Sequence, residues 1–460
     1  MKLIHSYYIL LGLFCCFGCN QSFLEVKPNS SIVVPKTLAD CQRLFNNQRV
    51  MVSYFPGLGQ IGSDEFNLDL KAWQGLIDEA ERNAYVWNAT VYAPNITPSD
   101  WENSFNAIYT SNVVLQALDK IVPAADNAYL WNNLKGSALF YRAYRYFALS
   151  EVFTLPYDTE TAGVTLGLPL RISPDVDYLA PRSTLSQTFD FIISDLEQAV
   201  ELLEDSLPDH VRNRPSKAAA YGALAKVYLV MGNFDNALIY AEKCLSIYDV
   251  LLDYNDLRLS VDYPFENNPE ILFSALMAPY WSSFSNINPS AVLHKIDSAL
   301  LSLYPDDDLR KVAFFMETID SNYVRRHLYS FDGRRPECET GITTNEIYLI
   351  KAECQARLGQ SAQAIQTLRE FQSHRYLDNR YEEIQDADLL DKIIAERRKE
   401  LVFRGARWSD IRRLNVMGAG IEMKRVLDGK EYLLQPNSPR YALPIPDLEV
   451  NLSGLEQNER

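Results

Sequence analysis

Two segments of the chain share one spacing of tyrosine, alanine and glycine, and this shared spacing restricts the fold more than any other feature. In residues 221–237 and 348–364, the opening tyrosine is followed by alanine after four residues, glycine after eleven and alanine after sixteen. A glycine accepts the left-handed conformation that ends many helices, and alanines let two antiparallel helices approach closely. The spacing predicts two helix-turn-helix units of the tetratricopeptide type, with Gly232 and Gly359 in the turns. Other helical hairpins are the alternative source of such a spacing.

Further helices are predicted from apolar residues that recur with the helical period. Residues 101–120, 134–153 and 189–203 show this period, and residues 391–415 form a fourth long helical region. Thr184 and Gln187 have the spacing of a capping box before the third of these segments, which we expect to pack against the helix that ends at Gly232. The predicted fold class is mostly α, a tetratricopeptide-like helical repeat scaffold over about residues 100–250 and 344–415.

Long irregular stretches separate these helices, at residues 48–97, 155–181, 249–343 and 417–460. They are rich in proline, asparagine, aspartate and aromatic residues, and they are too apolar to be disordered. Ordered insertions on a rigid scaffold commonly carry binding sites. We therefore expect loop-rich ligand-binding portions at about residues 48–97 and 249–343.

The N-terminal residues have the pattern of an export signal. Lys2 precedes an apolar run at residues 7–17, which is shorter than the roughly 20 residues of a membrane-spanning helix. The run ends at Gly18-Cys19, and a small residue directly before a cysteine resembles the lipobox of bacterial lipoproteins. We expect residues 1–18 to be removed as a signal peptide, Cys19 to carry acyl chains, and residues 19–460 to form a single domain without a transmembrane helix. An ordinary signal peptide that contains cysteines by chance is the alternative.

The charge and the missing motifs argue against several classes of function. The chain has 44 basic and 60 acidic residues, a formal net charge of −16, whereas nucleic acid rewards clustered basic residues. Neither a GxSxG nucleophile motif nor a Walker phosphate loop is present, and the histidines are isolated. We predict a binding protein rather than an enzyme, with no nucleic-acid partner, no cofactor and no metal. Asp306, Asp307 and Asp308 have the chemistry of a calcium site, but we expect a solvated turn there.

Residues 57–62 match the GxGxxG pattern of dinucleotide-binding loops. Such a loop follows a strand and opens a helix, whereas here Pro56 precedes the motif and a polar stretch without an apolar helical stripe follows it. We expect a flexible surface loop and no nucleotide site.

The cysteines after Cys19 give no framework for disulfides. They are Cys41, Cys244, Cys338 and Cys354, and they show neither CxxC nor another close pair. We expect buried thiols, and the spacing does not identify a pair if one disulfide forms.

The C-terminal third carries the most specific signature of the chain. Residues 396–413 read Glu-Arg-Arg-Lys-Glu-Leu-Val-Phe-Arg-Gly-Ala-Arg-Trp-Ser-Asp-Ile-Arg-Arg, and Pro444-Ile-Pro446 and Gln457-Asn458 follow. This signature resembles the SusD/RagB family of outer-membrane nutrient-binding lipoproteins from Bacteroidetes. The resemblance covers nearly all of residues 19–458 and includes Gly167-Leu-Pro169 and Arg182-Ser183. Arg404 departs from the acidic residue usual at its position, and residues 249–343 contain no matching motif.

What the resemblance implies is a surface-exposed lipoprotein of the cell outer membrane, held through Cys19, that caps a SusC-like TonB-dependent transporter. Such a protein captures oligosaccharides, or in some relatives peptides, and opens like a lid to deliver them. The helix that contains Glu396 and Arg397 is then structural, with alternating charges that form buried or interfacial ion pairs, and neither residue is catalytic.

Residues suited to sugar binding fall into two clusters, at residues 64–92 and 280–325. Aromatic rings stack on the CH faces of sugars, while carboxylates, amides and guanidinium groups bind hydroxyls. The candidate ligand-binding residues are Asp64, Trp73, Trp87, Tyr92, Tyr280, Trp281, Asn286, Tyr323 and Arg325. At least one tryptophan of these clusters is expected in the site, and core packing or a transporter interface is the alternative role for each residue. Trp101, Trp131 and Trp408 are expected to pack.

Three other functions stay open. The chain could capture peptides as a RagB-like lipoprotein, it could be a surface glycosidase whose paired carboxylates are not evident among so many acids, or it could be a scaffold that only holds a protein partner.

Overall fold

The computed structural model describes residues 35–207, 212–258, 265, 267–278, 280, 294–318, 320–325 and 338–460. Three predicted site residues, Cys19, Trp281 and Asn286, lie outside this described part. The described α-helices are α1 (Leu38–Phe45), α2 (Gln48–Met51), α3 (Leu58–Gly62), α4 (Leu70–Gln74), α5 (Glu79–Tyr85), α6 (Ser99–Leu118), α7 (Ala128–Phe153), α8 (Leu185–Leu202), α9 (Lys217–Val230), α10 (Phe234–Ile247), α11 (Ser298–Leu301), α12 (Leu309–Phe314), α13 (Thr344–Arg357), α14 (Ser361–Ser373), α15 (Leu389–Glu400), α16 (Ala406–Val416) and α17 (Asp447–Ser453).

The described strands are short and pair in antiparallel twos: β1 with β5, β2 with β3, β4 with β8, β6 with β7, and β9 with β10. Their bounds are β1 (Phe66–Asn67), β2 (Leu166–Pro169), β3 (Arg182–Thr184), β4 (Ile271–Phe273), β5 (Lys295–Ile296), β6 (Phe315–Glu317), β7 (Tyr323–Arg325), β8 (Ile342–Thr343), β9 (Met423–Leu427) and β10 (Lys430–Leu434).

The two predicted helix-turn-helix units are confirmed as α9–α10 and α13–α14. Gly232 and Gly359 stand in the turns with φ angles of 72° and 75°, in the left-handed region that costs an L-residue roughly 1–2 kcal/mol. The alanines of both repeats are buried where the paired helices meet. The repeated spacing therefore encodes both the turn and the close helix contact.

The longer helices pack in a row that follows the chain. Each contacts the next in the order α6, α7, α8, α9, α10 and α13, and α13 also contacts α14 and α15. The apolar stripe of α8, with Phe189, Ile192 and Leu196 buried, faces α9, as predicted, and α8 also contacts α7. The predicted capping box of Thr184 and Gln187 is confirmed at the start of α8. This row is the rigid scaffold of the fold.

The region predicted as one helix over residues 391–415 is two helices, α15 and α16. Between them, Phe403 and Gly405 have φ angles of 57° and 74°, which no α-helix accommodates. The break folds α16 back so that Arg397 of α15 donates from Nε to Oδ2 of Asp410 at 2.9 Å.

A buried ionic layer joins α15 to α12 and to the segment that directly follows α14. Arg310 donates from Nη2 to Oε2 of Glu396 at 2.7 Å, and Arg375 donates from Nη2 to Oε1 of Glu400 at 2.9 Å. Burial opposes ionisation of Glu396, yet the cations of Arg310 and Lys399 hold the pKa of its carboxyl well below the usual range. Breaking a buried pair typically costs about 3–5 kcal/mol. The predicted structural role of this helix agrees with these contacts.

The aspartate turn at residues 306–308 differs from expectation. Asp306 is fully exposed, but the side chain of Asp308 is buried and pairs with Arg310 at 2.7 Å. The expected solvated turn is therefore wrong for Asp308, because its partner lies two residues further along the chain and is itself buried.

The GxGxxG segment is buried rather than a flexible surface loop, so that expectation was wrong. Gly59 and Gly62 belong to α3 and lie against the ring of Trp408. A Cβ atom on Gly59 would stand 2.8 Å from Cδ1 of Trp408, and one on Gly62 would stand 2.9 Å from Cζ3. These two glycines are needed for close approach to a ring, a demand that the local sequence does not reveal. Trp408 packs as predicted, 3% exposed.

Other sequence-based expectations concern buried groups. Cys41, Cys244, Cys338 and Cys354 are buried, as predicted. Trp101 packs as predicted, 3% exposed.

Across the described ranges, no helix combines the length and the apolar character needed to cross a bilayer.

Candidate functional site

The two candidate clusters, distant in sequence, meet in space. β1 and β5 pair antiparallel, with Phe66 opposite Ile296 and Asn67 opposite Lys295. Asn67 donates from Nδ2 to Oδ2 of Asp297 at 2.9 Å. This pairing brings part of each candidate cluster to one place on the surface.

β7 extends the same surface, because it contacts β5 and pairs with β6. The hydroxyl of Tyr323 lies 3.4 Å from Oε2 of Glu317 across the β6–β7 pair. We call the surface formed by Asn67, Lys295, Asp297 and Tyr323 the β1/β5/β7 face. Asn67 and Lys295 are exposed on it, and Asp297 and Tyr323 are half-buried.

The carboxylate of Asp64 is paired with two arginines. Arg407 donates from Nε and Nη2 to its two oxygens at 2.6 and 2.7 Å, and Arg398 donates from Nη2 at 3.2 Å. Burial opposes ionisation of Asp64, but these guanidinium groups hold the pKa of its carboxyl below the usual value. The carboxylate therefore positions α3 against α15 and α16.

Three aromatic candidates are covered by the protein. Trp87 is 2% exposed and donates from Nε1 to the carbonyl oxygen of Gly62 at 2.9 Å. Tyr280 is 7% exposed and donates its hydroxyl to Oδ1 of Asp100 at 2.6 Å, and Tyr92 is also 7% exposed. A ring covered on both faces packs in the core and cannot stack on a sugar.

The remaining candidates differ in access. Arg325 is 8% exposed and donates from Nη1 to Sγ of Cys338 at 2.7 Å, so its guanidinium points inward. Trp73 is half-buried on α4, where its Nε1 donates to the carbonyl oxygen of Arg82 at 3.0 Å. Among the described candidates, Trp73 and Tyr323 alone keep an aromatic ring partly open to solvent.

A second region, of which only residues 95–97 fall within a predicted ligand-binding portion, has the shape of a ligand site. A groove of about 560 Å³ lies between α6, residues 169–180 and α17, within the range of about 300–1,000 Å³ typical of ligand pockets. We call it the α6/α17 groove. Its lining residues are Asn95, Ile96, Thr97, Trp101, Glu102, Phe105, Asn106, Ile108, Tyr109, Asn112, Pro169, Arg171, Ser173, Val176, Leu179, Ala180, Leu448, Glu449, Ser453 and Leu455.

One face of α6 forms the first wall of the groove. Glu102, Phe105, Asn106 and Tyr109 follow one another at the i, i+3, i+4 and i+7 positions that share a helix face. Glu102 and Asn106 are exposed, and Phe105 and Tyr109 are half-buried. Sequence reasoning missed this face because it followed the apolar stripe of α6 and not the mixed aromatic and polar stripe beside it.

Arg171 on the opposite wall is held by its backbone. Its N–H donates to the hydroxyl of Tyr146 at 2.6 Å, and its carbonyl oxygen accepts from Nδ2 of Asn112 at 2.9 Å. Asn112 in turn accepts from Nη1 of Arg142 at 2.8 Å, and Arg142 forms two bonds of 2.7 and 2.9 Å with Asp195. This buried chain of contacts fixes the wall before any ligand binds.

Glu449 places a carboxyl on the third wall, at the start of α17. Partial burial raises the pKa of this carboxyl, and the charge of Arg171 opposes the rise. The groove thus combines aromatic rings, amides, a guanidinium group and carboxylates. For metal binding, the described residues offer no group of three or more His, Cys, Asp or Glu side chains.

Comparison with known families gives matches over both ends of the chain. Residues 22–229 match a family model described as starch-binding, associating with outer membrane, and residues 344–460 match the model of the SusD family. Two SusD-like proteins of Formosa agariphila are 22% and 26% identical to the chain, with 97% and 100% of this chain and 98% and 99% of those proteins covered.

Solved structures show the same fold. A SusD superfamily protein from Bacteroides thetaiotaomicron superposes with a TM-score of 0.74 at 21% identity, covering 92% of this chain and 100% of the other. A SusD-like carbohydrate binding protein from Bacteroides vulgatus superposes with a TM-score of 0.67 at 18% identity, covering 91% and 97%. The predicted mostly helical, SusD-like fold is thereby confirmed.

Proposed function

Since the chain belongs to the SusD/RagB family, we propose that it is a cell-surface lipoprotein that binds oligosaccharides and serves as the lid of a SusC-like TonB-dependent transporter. The observation that carries the proposal is the ordered match of two family models over residues 22–229 and 344–460, the first of them described as starch-binding. Membership in this family identifies a binding protein and not an enzyme.

The ligand would bind at the β1/β5/β7 face. The pairing of β1 with β5 supports this placement, because it joins the two sequence clusters selected for sugar chemistry. Lys295 supplies an ammonium group there, and Asn67 and Asp297, which are bonded to each other, hold the two strands together. Trp73 and Tyr323 would supply aromatic contacts, together with Trp281 and Asn286 from outside the described residues.

Attachment would depend on Cys19. Removal of residues 1–18 would leave this cysteine at the N-terminus with its acyl chains, and more than one chain is needed for stable anchoring. Acyl chains on Cys19 would keep the protein at the outer membrane while its folded part moves relative to the transporter. The Gly18-Cys19 junction after the apolar run supports this part of the proposal.

The two prominent acids of α15 are not a hydrolytic pair. Glu396 and Glu400 are held by arginines in the core. Glycoside hydrolysis needs two carboxyl groups that flank a bound sugar, which these two groups do not do.

Retention of the soluble chain, beginning at Gln21, on immobilised polysaccharides tests the proposal. Starch is the first ligand to use, because of the description of the matching family model, followed by a wider glycan panel. We expect retention without released reducing sugar, and we expect Trp281→Ala or Trp73→Ala to weaken it. Tyr381→Ala is the matched control, since Tyr381 is 47% exposed and lies outside both candidate regions.

The outcomes separate the open functions. Release of reducing sugar would contradict the assignment as a binding protein. Retention of peptides but of no glycan would favour peptide capture. Equal retention of both tryptophan variants and of Tyr381→Ala would remove the tryptophans from the proposed ligand contacts.

A further inference from the structure

We propose that the α6/α17 groove is a second oligosaccharide-binding site, separate from the β1/β5/β7 face. The inference rests on the proposed function, because it assigns the same class of ligand to a different place. None of the residues that define the β1/β5/β7 face lines the groove. A ligand in the groove would therefore add to binding at the face and not replace it.

The polar groups on the α6 wall are available to a ligand. In the part of the chain that the structure describes, no hydrogen bond engages the side chains of Glu102, Asn106 or Tyr109. By contrast, two residues predicted from the sequence to bind ligand have their polar groups occupied: the carboxylate of Asp64 and the indole N–H of Trp87 are bonded within the protein. Hydrogen-bonding groups that are held on a rigid helix and left without internal partners are suited to recognise hydroxyls.

The rings on the same wall offer apolar area beside these groups. Phe105 is fixed by ring contacts with Trp101 and Tyr146, at centroid distances of 4.7 and 6.2 Å. Tyr109 lies one helical turn further and is half-buried. A sugar ring that rests on Tyr109 would bring its hydroxyls within reach of Asn106, three residues earlier on the same face. Aromatic and amide contacts thus come from one helix.

The opposite walls supply charged groups that fit neutral sugars. Arg171 donates from Nη2 to the carbonyl oxygen of Asp175 at 2.7 Å, which leaves other N–H donors of its guanidinium to face the groove. Glu449 adds an acceptor from α17. Two carboxylates and one guanidinium group give no strong preference for an anionic ligand, which argues for uncharged oligosaccharides.

An extended peptide fits the groove less well. Capture of a strand relies on unpaired backbone donors and acceptors along an edge, whereas two of the three walls here are helices whose backbone groups bond internally. Recognition must come mainly from side chains, and half of the lining side chains are polar. Val176, Leu179 and Ile96 are 66%, 54% and 55% exposed at the rim, where they would meet the CH faces of a sugar.

Calorimetric titration of the soluble chain tests the inference. The probe is maltohexaose, or the shortest oligosaccharide of the glycan that the chain retains. We expect two sites per chain. Asn106→Leu, which keeps the side-chain size and the helix, and Tyr109→Ala should each weaken one site by about tenfold and leave the other unchanged. Trp73→Ala should weaken only the site that the groove variants spare, and Tyr381→Ala should weaken neither.

The thermal unfolding midpoint of each variant controls for folding, and Tyr109→Phe keeps the ring if the alanine variant is unstable. One site per chain, with an affinity that Asn106→Leu and Tyr109→Ala leave unchanged, would overturn the inference while the proposed function stands, and would leave the apolar rim to a protein partner. Absence of binding to any glycan would overturn both.

Discussion

Arg182 at the start of β3 donates from Nη1 to Oδ1 of Asn458 at 2.8 Å, across 276 residues of sequence. The same guanidinium donates from Nε to the carbonyl oxygen of Gly167 at 2.7 Å. Asn458 donates from Nδ2 to the carbonyl oxygens of Phe153 and Leu443 at 2.8 and 2.6 Å. These bonds hold the C-terminal tail against the β2–β3 hairpin and the end of α7. The two motifs around Arg182 and Asn458 therefore act together to fix the tail.

Asn458→Ala should lower the free energy of unfolding by about 2 kcal/mol, because it leaves backbone and guanidinium partners unsatisfied. Urea unfolding of the soluble chain measures this change. Asn451→Ala is the control, since Asn451 is exposed on α17. If Arg182→Ala and Asn458→Ala act through the pair, their effects should be less than additive. Equal stability of Asn458→Ala and Asn451→Ala would contradict a stabilising role of the Arg182–Asn458 pair.

Glu65 should make stability fall as pH rises towards 8. Burial raises the pKa of its carboxyl to about 7, above its ordinary value of 4.5, while bonds from Gln60 and from the N–H of Phe403 oppose the rise. A carboxyl with a raised pKa stabilises the fold fully below the ordinary value, and this contribution is lost as pH passes through about 7.

Glu65→Gln mimics the neutral carboxyl at every pH. The stability of this variant relative to the wild type should therefore increase between pH 5 and pH 8, approaching about 3 kcal/mol. Chemical denaturation at a series of pH values measures the difference. A difference that stays constant with pH would show that Glu65 does not titrate in this range.

Glu396→Gln should destabilise the protein by about 3–5 kcal/mol, because it removes one charge from a buried ionic layer. Arg310 and Lys399 would each keep a cation without this partner, at present 2.7 and 2.5 Å from its oxygens. Glu382→Gln removes a half-buried acid from the exposed pair with Lys392 and should cost at most about 1 kcal/mol. Similar unfolding midpoints for both variants would contradict the structural role of Glu396.

Cys19→Ala should release the protein from the membrane, because the acyl chains have no other attachment in the proposal. Fractionation of cells after a urea wash, which removes proteins held by protein contacts alone, measures the released share. Ser22→Ala should remain in the membrane fraction. Persistence of Cys19→Ala in the washed membranes would contradict anchoring through this cysteine.

Local patterns predicted the scaffold better than the site. Gly232 and Gly359 could be placed from spacing because a helix ending depends on neighbouring residues. Burial of Trp87 and Tyr280 depends on partners far along the chain: Arg425 lies 5.3 Å from the ring centroid of Trp87, and Asp100 binds the hydroxyl of Tyr280. Selection by side-chain chemistry alone therefore included several residues, such as Trp87 and Tyr280, that are buried in the core.

The α6/α17 groove was missed for the same reason. Its walls come from α6, residues 169–180 and α17, and no sequence pattern joins segments so far apart. Glu102, Asn106 and Tyr109 were overlooked because the apolar stripe of their helix gives the stronger periodic signal. The groove becomes evident only where the fold brings these distant segments together.

One titration tests whether the protein binds an oligosaccharide without cleaving it. The soluble chain is titrated with maltohexaose or with the oligosaccharide of a retained glycan, and the sugar is then recovered from the same sample for chain-length analysis. We predict saturable binding and recovery of the sugar at its original length. Recovery of shortened sugar, or the absence of saturable binding with every glycan of the panel, would contradict the proposed function.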